Sequence, residues 1–301
     1  MPASRTLSMG CGPTEVEFLP SVGGRLSSLR YNGVPLVLPP GRVPGFHGDT
    51  FWPSPQARFD WPPPPILDAA AYEVVTESPL GLILRSAPDP DFGFQVEKCF
   101  ELAEHGLAMQ FTLTNIWSRP QDVAPWQVTR APREGLLVWA TGDPFHDADR
   151  LAKQAEDPGC WFVHRDSTTV FPGLEAAAAH SSIAVPAVSA TSKLFTDARG
   201  WLAHAHDATL FLRTFPDLTL DQAAPRQGEL ELYFNPERDY IELENQGAYV
   251  TLAPGESLTY PVEWRFRALD PGLRTDRLTP ELLAEIDALL AAGATTLRPP
   301  E

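Results

Sequence analysis

Short runs of alternating apolar and polar residues, separated by turn residues, dominate this sequence and limit what it can fold into. Between Leu107 and Asn115 apolar residues occupy every second position, so one face of a strand meets a core and the other is wetter. The pair Asn32-Gly33 lies between two such runs, and Asn-Gly is a strong hairpin signal because both residues tolerate positive φ. The pattern predicts an all-β protein built from antiparallel strands.

The same pattern predicts strands along most of the chain. In the first half the predicted strands are residues 14–19, 25–31, 35–38, 72–77, 81–86, 94–102 and 107–115. In the second half they are residues 201–206, 209–215, 229–234, 240–244, 248–252 and 258–266. Many of these runs are joined by only a few turn residues, as in consecutive hairpins.

One amphipathic helix is predicted near the C-terminus, over about residues 279–292. Thr279 is a suitable N-cap and Pro280 fits the first helical position, where no backbone N–H is needed. The leucines that follow form one apolar stripe, which predicts packing against a sheet. We expect the tail 294–301 to be disordered.

Two long segments interrupt the strand pattern. Residues 39–65 are crowded with Pro, Gly and aromatic residues, and residues 142–169 include a possible short helix at 148–155. Irregular segments of this length are usually functional or mobile. Because no linker or short repeat divides the chain, we predict a single domain over residues 1–301, with a β core over about 14–270.

The charge of the chain excludes several partners. The formal net charge is −16 at pH 7, and such a surface repels nucleic-acid phosphates and anionic lipids. No apolar run approaches the ~18 residues that a membrane-spanning helix needs, and the first residues lack the apolar core of a secretory signal. We therefore expect a cytoplasmic protein with no nucleic-acid or membrane partner; monomer and homodimer both remain open.

The sequence contains no recognisable metal or cofactor motif. Cys11, Cys99 and Cys160 are far apart, without a CxxC pair, which argues against a zinc site and a disulfide framework. Phosphate loop, GxSxG elbow, HExxH helix and dinucleotide fingerprint are all missing from the sequence. His204 and His206 alternate on one predicted strand and could chelate a metal with a carboxylate, but this spacing is common. We predict no metal and no cofactor.

The predicted hairpin over residues 229–246 carries the densest group of carboxylates. Because side chains two apart share a face of a strand, Glu229 and Glu231 point the same way, as do Glu242 and Glu244. Neighbouring carboxylates and partial burial raise one another's pKa values, and a raised pKa suits a general base near neutral pH. A solvated acidic face balanced by Arg is the alternative interpretation.

Several segments along the chain resemble a known group of proteins. They are residues 23–26 (GGRL), 48–56 (GDTFWPSPQ), 113–115 (LTN), 124–129 (APWQVT), 200–204 (GWLAH), 231–235 (ELYFN), 241–247 (IELENQG) and 252–257 (LAPGES). Their order and spacing resemble the galactose-mutarotase-like superfamily, which includes aldose 1-epimerases, and more closely the DUF4380 family. The resemblance covers about residues 15–270. It implies a β-supersandwich of large twisted antiparallel sheets, with a concave face that holds a sugar.

The resemblance also implies catalytic residues. In mutarotases a Glu in an E-x-Q-like setting is the base that takes the proton of the anomeric hydroxyl, and Glu244, followed by Asn245 and Gln246, lies at the matching place. The acid of those enzymes is a His in an H-x-Y-F-like segment after the L-T-N strand. Here residues 126–129 read WQVT, which departs from the family pattern. His204 is the candidate replacement, since a His is a natural acid near pH 7, although a His bonded within the core is the alternative.

A sugar site also needs an aromatic platform for the apolar face of a pyranose, with carboxylates, amides and Arg for its hydroxyls. The candidate substrate-binding residues are His47, Asp49, Trp52, Gln56, Trp126, Arg130, Lys193, Arg213, Glu231 and Glu242. Core packing of each Trp and a surface position for the Lys are the alternatives. The partner expected is a small-molecule sugar. Open functions are an aldose 1-epimerase-like isomerase, a non-catalytic carbohydrate-binding module or sugar sensor, and a structural, partner-binding domain.

Overall fold

Two large β-sheets form the body of the fold, in a computed structural model that describes residues 5–43, 45–142, 160–162, 171 and 173–292. The strands of the first half are β1 (Leu7–Cys11), β2 (Thr14–Leu19), β3 (Arg25–Tyr31), β4 (Val34–Pro35), β5 (Asp49–Ser54), β6 (Glu73–Glu77), β7 (Gly81–Arg85), β8 (Phe94–Ala103), β9 (Gly106–Asn115), β10 (Gln121–Pro132) and β11 (Leu136–Ala140). Those of the second half are β12 (Cys160–Phe162), β13 (Leu174–Ala176), β14 (His180–Ala184), β15 (Ser192–Thr196), β16 (Trp201–His206), β17 (Thr209–Thr214), β18 (Leu230–Asn235), β19 (Tyr240–Gln246), β20 (Val250–Leu252) and β21 (Ser257–Ala268). The helices are α1 (Pro65–Asp68) and α2 (Pro280–Ala291), with 3₁₀ turns at Gln56–Arg58, Val185–Ala187 and Leu220–Gln222.

The order of strands differs from their order in the chain. The first sheet runs β1-β2-β3-β5-β10-β19-β18-β15-β12, with β4 beside β3 and β20 beside β10. The second sheet runs β13-β14-β11-β16-β17-β21-β9-β8-β7-β6. Within the described residues, β12 and β15 form the one parallel pair. The predicted all-β, antiparallel architecture is thus confirmed.

The hydrophobic core lies between the two sheets. Leu232 of β18 and Leu243 of β19 belong to the same buried cluster as Phe211 and Trp264 of the second sheet. Because alternate side chains point to opposite faces of a strand, the neighbours of these leucines point away from the second sheet. Glu244 is one of these neighbours, so its carboxylate lies on the outer face of the first sheet.

Helix α2 covers part of the second sheet. Thr279 Oγ1 accepts a hydrogen bond from the backbone N–H of Leu282 at 3.2 Å, so the predicted cap is present. Leu282 and Ile286 are buried against β16 and β17. Among the described residues, no helix has both the length and the apolar character needed to cross a membrane. The predicted tail 294–301 lies outside the described residues.

The structure corrects the expectation that residues 39–65 are irregular. Strand β5 lies within this range and pairs with β3 and β10 in the middle of the first sheet. Every residue of β5 is buried, so the run Asp49–Ser54 lacks the apolar and polar alternation of a half-exposed strand. Of residues 142–169, the structure describes Gly142 and β12, and the expected helix at 148–155 lies outside the described residues.

Candidate functional site

The outer face of the first sheet gathers polar and aromatic side chains from five adjacent strands. Trp126 of β10 lies opposite Trp52 of β5, and Glu244 of β19 lies opposite Glu231 of β18. Strand β15 contributes a Lys to the same face. We call this group the outer-face site; it consists of Trp52, Trp126, Arg130, Lys193, Glu231, Glu242 and Glu244.

Lys193 lies between two buried carboxylates at the centre of the outer-face site. Its Nζ is 2.6 Å from Oε2 of Glu231 and 3.0 Å from Oε2 of Glu244. The Lys193 side chain is 15% exposed, whereas those of the two glutamates are 0% and 1% exposed. Because two carboxylates share one ammonium, the group carries an uncompensated negative charge unless it also binds a proton.

Burial and charge shift the pKa values of all three groups. Burial raises the pKa of Glu244 to about 8, an effect that Lys193 opposes and the other carboxylates of the site reinforce. Burial also raises the pKa of Glu231, against the opposing effect of Lys193. Burial lowers the pKa of Lys193, but its two carboxylate partners outweigh this and the pKa lies above its ordinary value. The ammonium therefore keeps its proton near neutral pH, and the carboxyl pair binds a proton as well.

The two carboxylates differ in their other partners. Oε1 of Glu231 accepts hydrogen bonds from the backbone N–H of Gly228 at 3.0 Å and from Nε2 of Gln246 at 2.7 Å. Oε2 of Glu244 accepts from Nε1 of Trp126 at 3.0 Å, while its Oε1 is buried without a hydrogen-bond partner among the described residues. Oε1 of Glu231 has two hydrogen-bond donors and Oε1 of Glu244 has none, so the ionised form is better stabilised at Glu231 and we assign the additional proton to Glu244. Oε1 of Glu244 is thus a buried acceptor without a donor among the described residues.

A series of aromatic rings extends from this centre to the surface. The Trp52 ring meets Trp126 edge-on at 5.2 Å between centroids and meets Trp61 edge-on at 6.0 Å. Trp61 in turn stacks nearly parallel to Phe46 at 6.5 Å. Trp61 is 54% exposed, so its indole is the accessible end of the series. Ring faces of this kind pack against the apolar C–H face of a pyranose.

Arg130 and Glu242 supply a charged pair beside these rings. Arg130 lies opposite Glu242 in the register of β10 and β19, and its Nε donates to Oε1 of Glu242 at 2.9 Å. The guanidinium carbon lies 5.6 Å from the centroid of the Trp52 ring, within the range of a cation–π contact. The Glu242 side chain is 14% exposed, so the pair reaches the surface of the outer-face site with both donors and acceptors.

His47 and Gln56 lie on the chain that enters and leaves β5. His47 is half-buried, and its Nε2 has no hydrogen-bond partner among the described residues. Burial, together with the charges of Arg25 and Arg130, lowers the pKa of His47 to about 4, so its imidazole is neutral at pH 7. Gln56 is half-buried at the start of the 3₁₀ turn that follows β5.

Asp49 and Arg213 lie between the two sheets. Asp49 accepts hydrogen bonds from Nε2 of Gln127 at 3.0 Å and from Oγ1 of Thr129 at 2.6 Å. Arg213 donates to the carbonyl oxygen of Leu243 at 2.7 Å and to Oε1 of Gln127 at 3.2 Å. The backbone of the first sheet separates both side chains from the outer-face site. They brace the strands that carry the site.

His204 also faces the interior between the sheets. Its Nε2 lies 2.7 Å from the carbonyl oxygen of Glu134, and its side chain is fully buried. Burial lowers the pKa of His204 well below its ordinary value, and the nearby His206 adds to this. Since the first sheet lies between His204 and Glu244, the structure does not bring the two expected catalytic residues together.

Glu229 does not join the other carboxylates of the hairpin. It precedes β18, and its carboxylate accepts hydrogen bonds from the backbone N–H groups of Ala198 at 2.6 Å and Gly200 at 3.1 Å. These bonds tie the turn before β16 to the start of β18. Its role in the described structure is therefore to hold two segments of backbone together.

Two residues that contribute to the outer-face site or its surroundings were not among the candidates predicted from the sequence. Gln246 bridges the site, since its Oε1 accepts from Oγ of Ser54 at 2.6 Å and its Nε2 donates to Glu231. Its position two residues after Glu244, on the same face of β19, was the signal that could have found it. Trp61 belongs to a proline-rich run, and only its exposure and ring contacts in the structure show that it continues the aromatic series.

The model of the family described as "Domain of unknown function (DUF4380)" matches residues 53–267, which is more than half of the chain. The chain belongs to the DUF4380 family. No curated protein matches this DUF4380 sequence.

Other proteins of known structure share the fold of this DUF4380 protein. A putative aldose 1-epimerase from Escherichia coli K12 is similar with a TM-score of 0.59 at 12% identity, over 89% of this chain and 100% of the other. The GalM/aldose epimerase homologue from C. elegans and galactose 1-epimerase from Lactobacillus acidophilus NCFM each give a TM-score of 0.56 at 13% identity, again over 89% and 100%. At such identities the similarity shows the galactose-mutarotase-like fold, as expected from the sequence.

Proposed function

We propose that this DUF4380 protein binds a saccharide at the outer-face site and speeds the interconversion of its two anomers. The observation that carries the proposal is the state of Glu244, a buried carboxyl with one oxygen uncommitted. Its other oxygen is held by Trp126 and Lys193 at 3.0 Å each. A ligand hydroxyl bonded to the free oxygen lies close to an indole and to an ammonium, which are the groups that a sugar ring and its oxygens need.

The chemistry requires two proton transfers. Ionised Glu244 takes the proton of the anomeric hydroxyl through Oε1, a carbonyl forms at C1, and the bond between C1 and the ring oxygen breaks. The ring oxygen takes a proton from Lys193, because an alkoxide is a much stronger base than an amine. Rotation about the C1–C2 bond and reversal of both transfers closes the ring in the other configuration. The raised pKa of Glu244, about 8, makes it a stronger base than an ordinary carboxylate.

Binding without catalysis is the second candidate function, and the environment of Lys193 favours it. Two carboxylate partners raise its pKa above the ordinary value, which makes it a reluctant proton donor. The rings of Trp52 and Trp126 and the pair of Arg130 and Glu242 need no proton transfer to hold a sugar. On this alternative the protein is a carbohydrate-binding module or sugar sensor.

Polarimetry separates the two candidates. The optical rotation of freshly dissolved α-glucose, α-galactose and a broad panel of other aldoses is followed with and without protein. We expect the wild-type protein to speed the change for at least one sugar, Glu244→Gln to remove the effect, and the exposed control Glu73→Gln to retain it. Sugar-dependent thermal stabilisation without a rate change supports the binding function instead. If no sugar of the panel produces a rate change or thermal stabilisation, both candidate functions are contradicted.

A further inference from the structure

His206, at the end of β16, has an unusual environment. Its side chain is 1% exposed, and both of its ring nitrogens lack a hydrogen-bond partner among the described residues. Most buried polar atoms in proteins are hydrogen-bonded, because an unpaired polar group loses its hydration without compensation. An unpaired imidazole nitrogen is available as a metal ligand, and one ion would occupy one of the two.

Two carboxylates lie beside this imidazole. Nδ1 of His206 is 4.0 Å from Oδ2 of Asp207. One ligand atom from each of Glu134, His206 and Asp207 lies within 4.8 Å of the other two. The side chains of Asp207 and Glu134 are exposed, so the group opens to solvent on one side.

The backbone holds these three residues together. Gly135 has a φ of +76°, and a Cβ at this position would overlap the carbonyl oxygen of Ala205 and lie 2.7 Å from Cβ of His206. Only glycine lets the loop between β10 and β11 approach β16 so closely. The bond of 2.7 Å between His204 Nε2 and the Glu134 carbonyl oxygen fixes the same loop, and the His204 ring lies 4.5 Å from that of His206.

We propose that Glu134, His206 and Asp207 bind one divalent transition-metal ion of the Zn²⁺ class. One imidazole nitrogen and two carboxylate oxygens form a ligand set that Zn²⁺ accepts, with a fourth position left for water. Tetrahedral bonds of about 2.0–2.2 Å place ligand atoms roughly 3.4 Å apart, so the exposed side chains of Glu134 and Asp207 move toward His206 when the ion binds. The site lies at the end of the second sheet and is independent of the outer-face site.

The test is a calorimetric titration of the chelator-treated full-length protein with ZnCl₂. We expect one Zn²⁺ per chain in the wild-type protein. The double variant Glu134→Gln/Asp207→Asn changes only exposed side chains and should stay folded. It removes two of three ligands, so affinity should fall by more than the roughly 10- to 100-fold that loss of an outer-shell partner costs.

Two further variants make the result specific. His206→Gln should lose binding as well, and Asp217→Asn is the matched control, since Asp217 belongs to a separate group of three carboxylates with Asp197 and Glu229. Asp217→Asn should bind Zn²⁺ as the wild-type protein does. Absence of Zn²⁺ binding by the folded wild-type protein, or undiminished binding by the double variant, overturns the proposal.

Discussion

Nζ of Lys193 lies 3.0 Å from Oε2 of Glu244, although β18 separates the strands that carry the two residues. The same ammonium is 2.6 Å from Oε2 of Glu231, which belongs to the strand between them. The contact therefore joins side chains from three adjacent strands on one face. It makes the charge of each of the three groups depend on the other two.

Removal of the shared ammonium should destabilise the protein in a pH-dependent way. Lys193→Met leaves two buried carboxylates without a cation, and loss of one partner of a buried ion pair costs about 3–5 kcal/mol. The folded pKa values of both carboxyls are raised above their unfolded values, so the remaining stability is greatest at low pH and is lost as pH rises through the folded pKa. Urea unfolding at about pH 5 and about pH 8 measures this.

The control for that prediction is Arg85→Met, which removes the cation of the half-exposed pair with Glu97. It should change stability far less than Lys193→Met, with little dependence on pH. If Lys193→Met and Arg85→Met lower the free energy of unfolding equally at both pH values, the description of Lys193, Glu231 and Glu244 as a buried, charge-coupled group is contradicted.

Anomer interconversion should depend on the ionisation of Glu244. Burial raises its pKa to about 8, and the base acts in its ionised form, so the protein-dependent rate should rise as pH increases through about 8. The pH profile of the polarimetric rate, corrected with Glu244→Gln for buffer catalysis, measures this. A rate that is flat or falls over this range means that Glu244 is not the base.

Trp61 should contribute to sugar binding without contributing much to stability. Its indole is 54% exposed at the end of the aromatic series, and an aromatic contact is worth about 0.5–1.5 kcal/mol. Trp61→Ala should therefore weaken sugar affinity roughly 2- to 12-fold in a calorimetric titration. Leu80→Ala, a similarly exposed apolar residue near the second sheet, is the control and should bind as the wild-type protein does. Equal affinity of both variants means that Trp61 does not contact the bound sugar.

Arg213 should matter for stability because it braces the strand that carries Glu244. Its guanidinium is fully buried and donates to the Leu243 carbonyl oxygen. Arg213→Met keeps much of the volume but leaves acceptors unpaired, so the free energy of unfolding should fall by about 3–5 kcal/mol. Arg238→Met, at an exposed guanidinium, should have a much smaller effect in the same urea experiment. A loss no larger than that of Arg238→Met would show that Arg213 does not support the sheet.

Strands set off by clear turn residues could be predicted closely from the sequence. Thr14–Leu19, Arg25–Tyr31 and Trp201–His206 have the bounds that their patterns and flanking turn residues predicted. Strands β5 and β10 were not predicted, because nearly all their residues are buried and neither run alternates. Pro53 and Pro125, which lie opposite each other, further hid them, since proline is rare in central strands.

Alternation also placed part of the site. It put Glu242 and Glu244 on one face of β19, and the structure shows that face turned outward. It could not show that Asp49 and Arg213 point inward, because their strands are buried on both faces. The position of Lys193 beside Glu244 depends on the order β15-β18-β19, which is a non-local property of the sheet.

A crystal structure of the protein with a bound monosaccharide, chosen as the best ligand of the aldose panel, tests the central claim most directly. We predict a hydroxyl oxygen of the sugar within hydrogen-bond distance of Oε1 of Glu244, with the pyranose ring against an indole of the outer-face site. A sugar bound at another surface, with Oε1 of Glu244 still unpartnered, contradicts the claim that this carboxyl is the centre of a carbohydrate site.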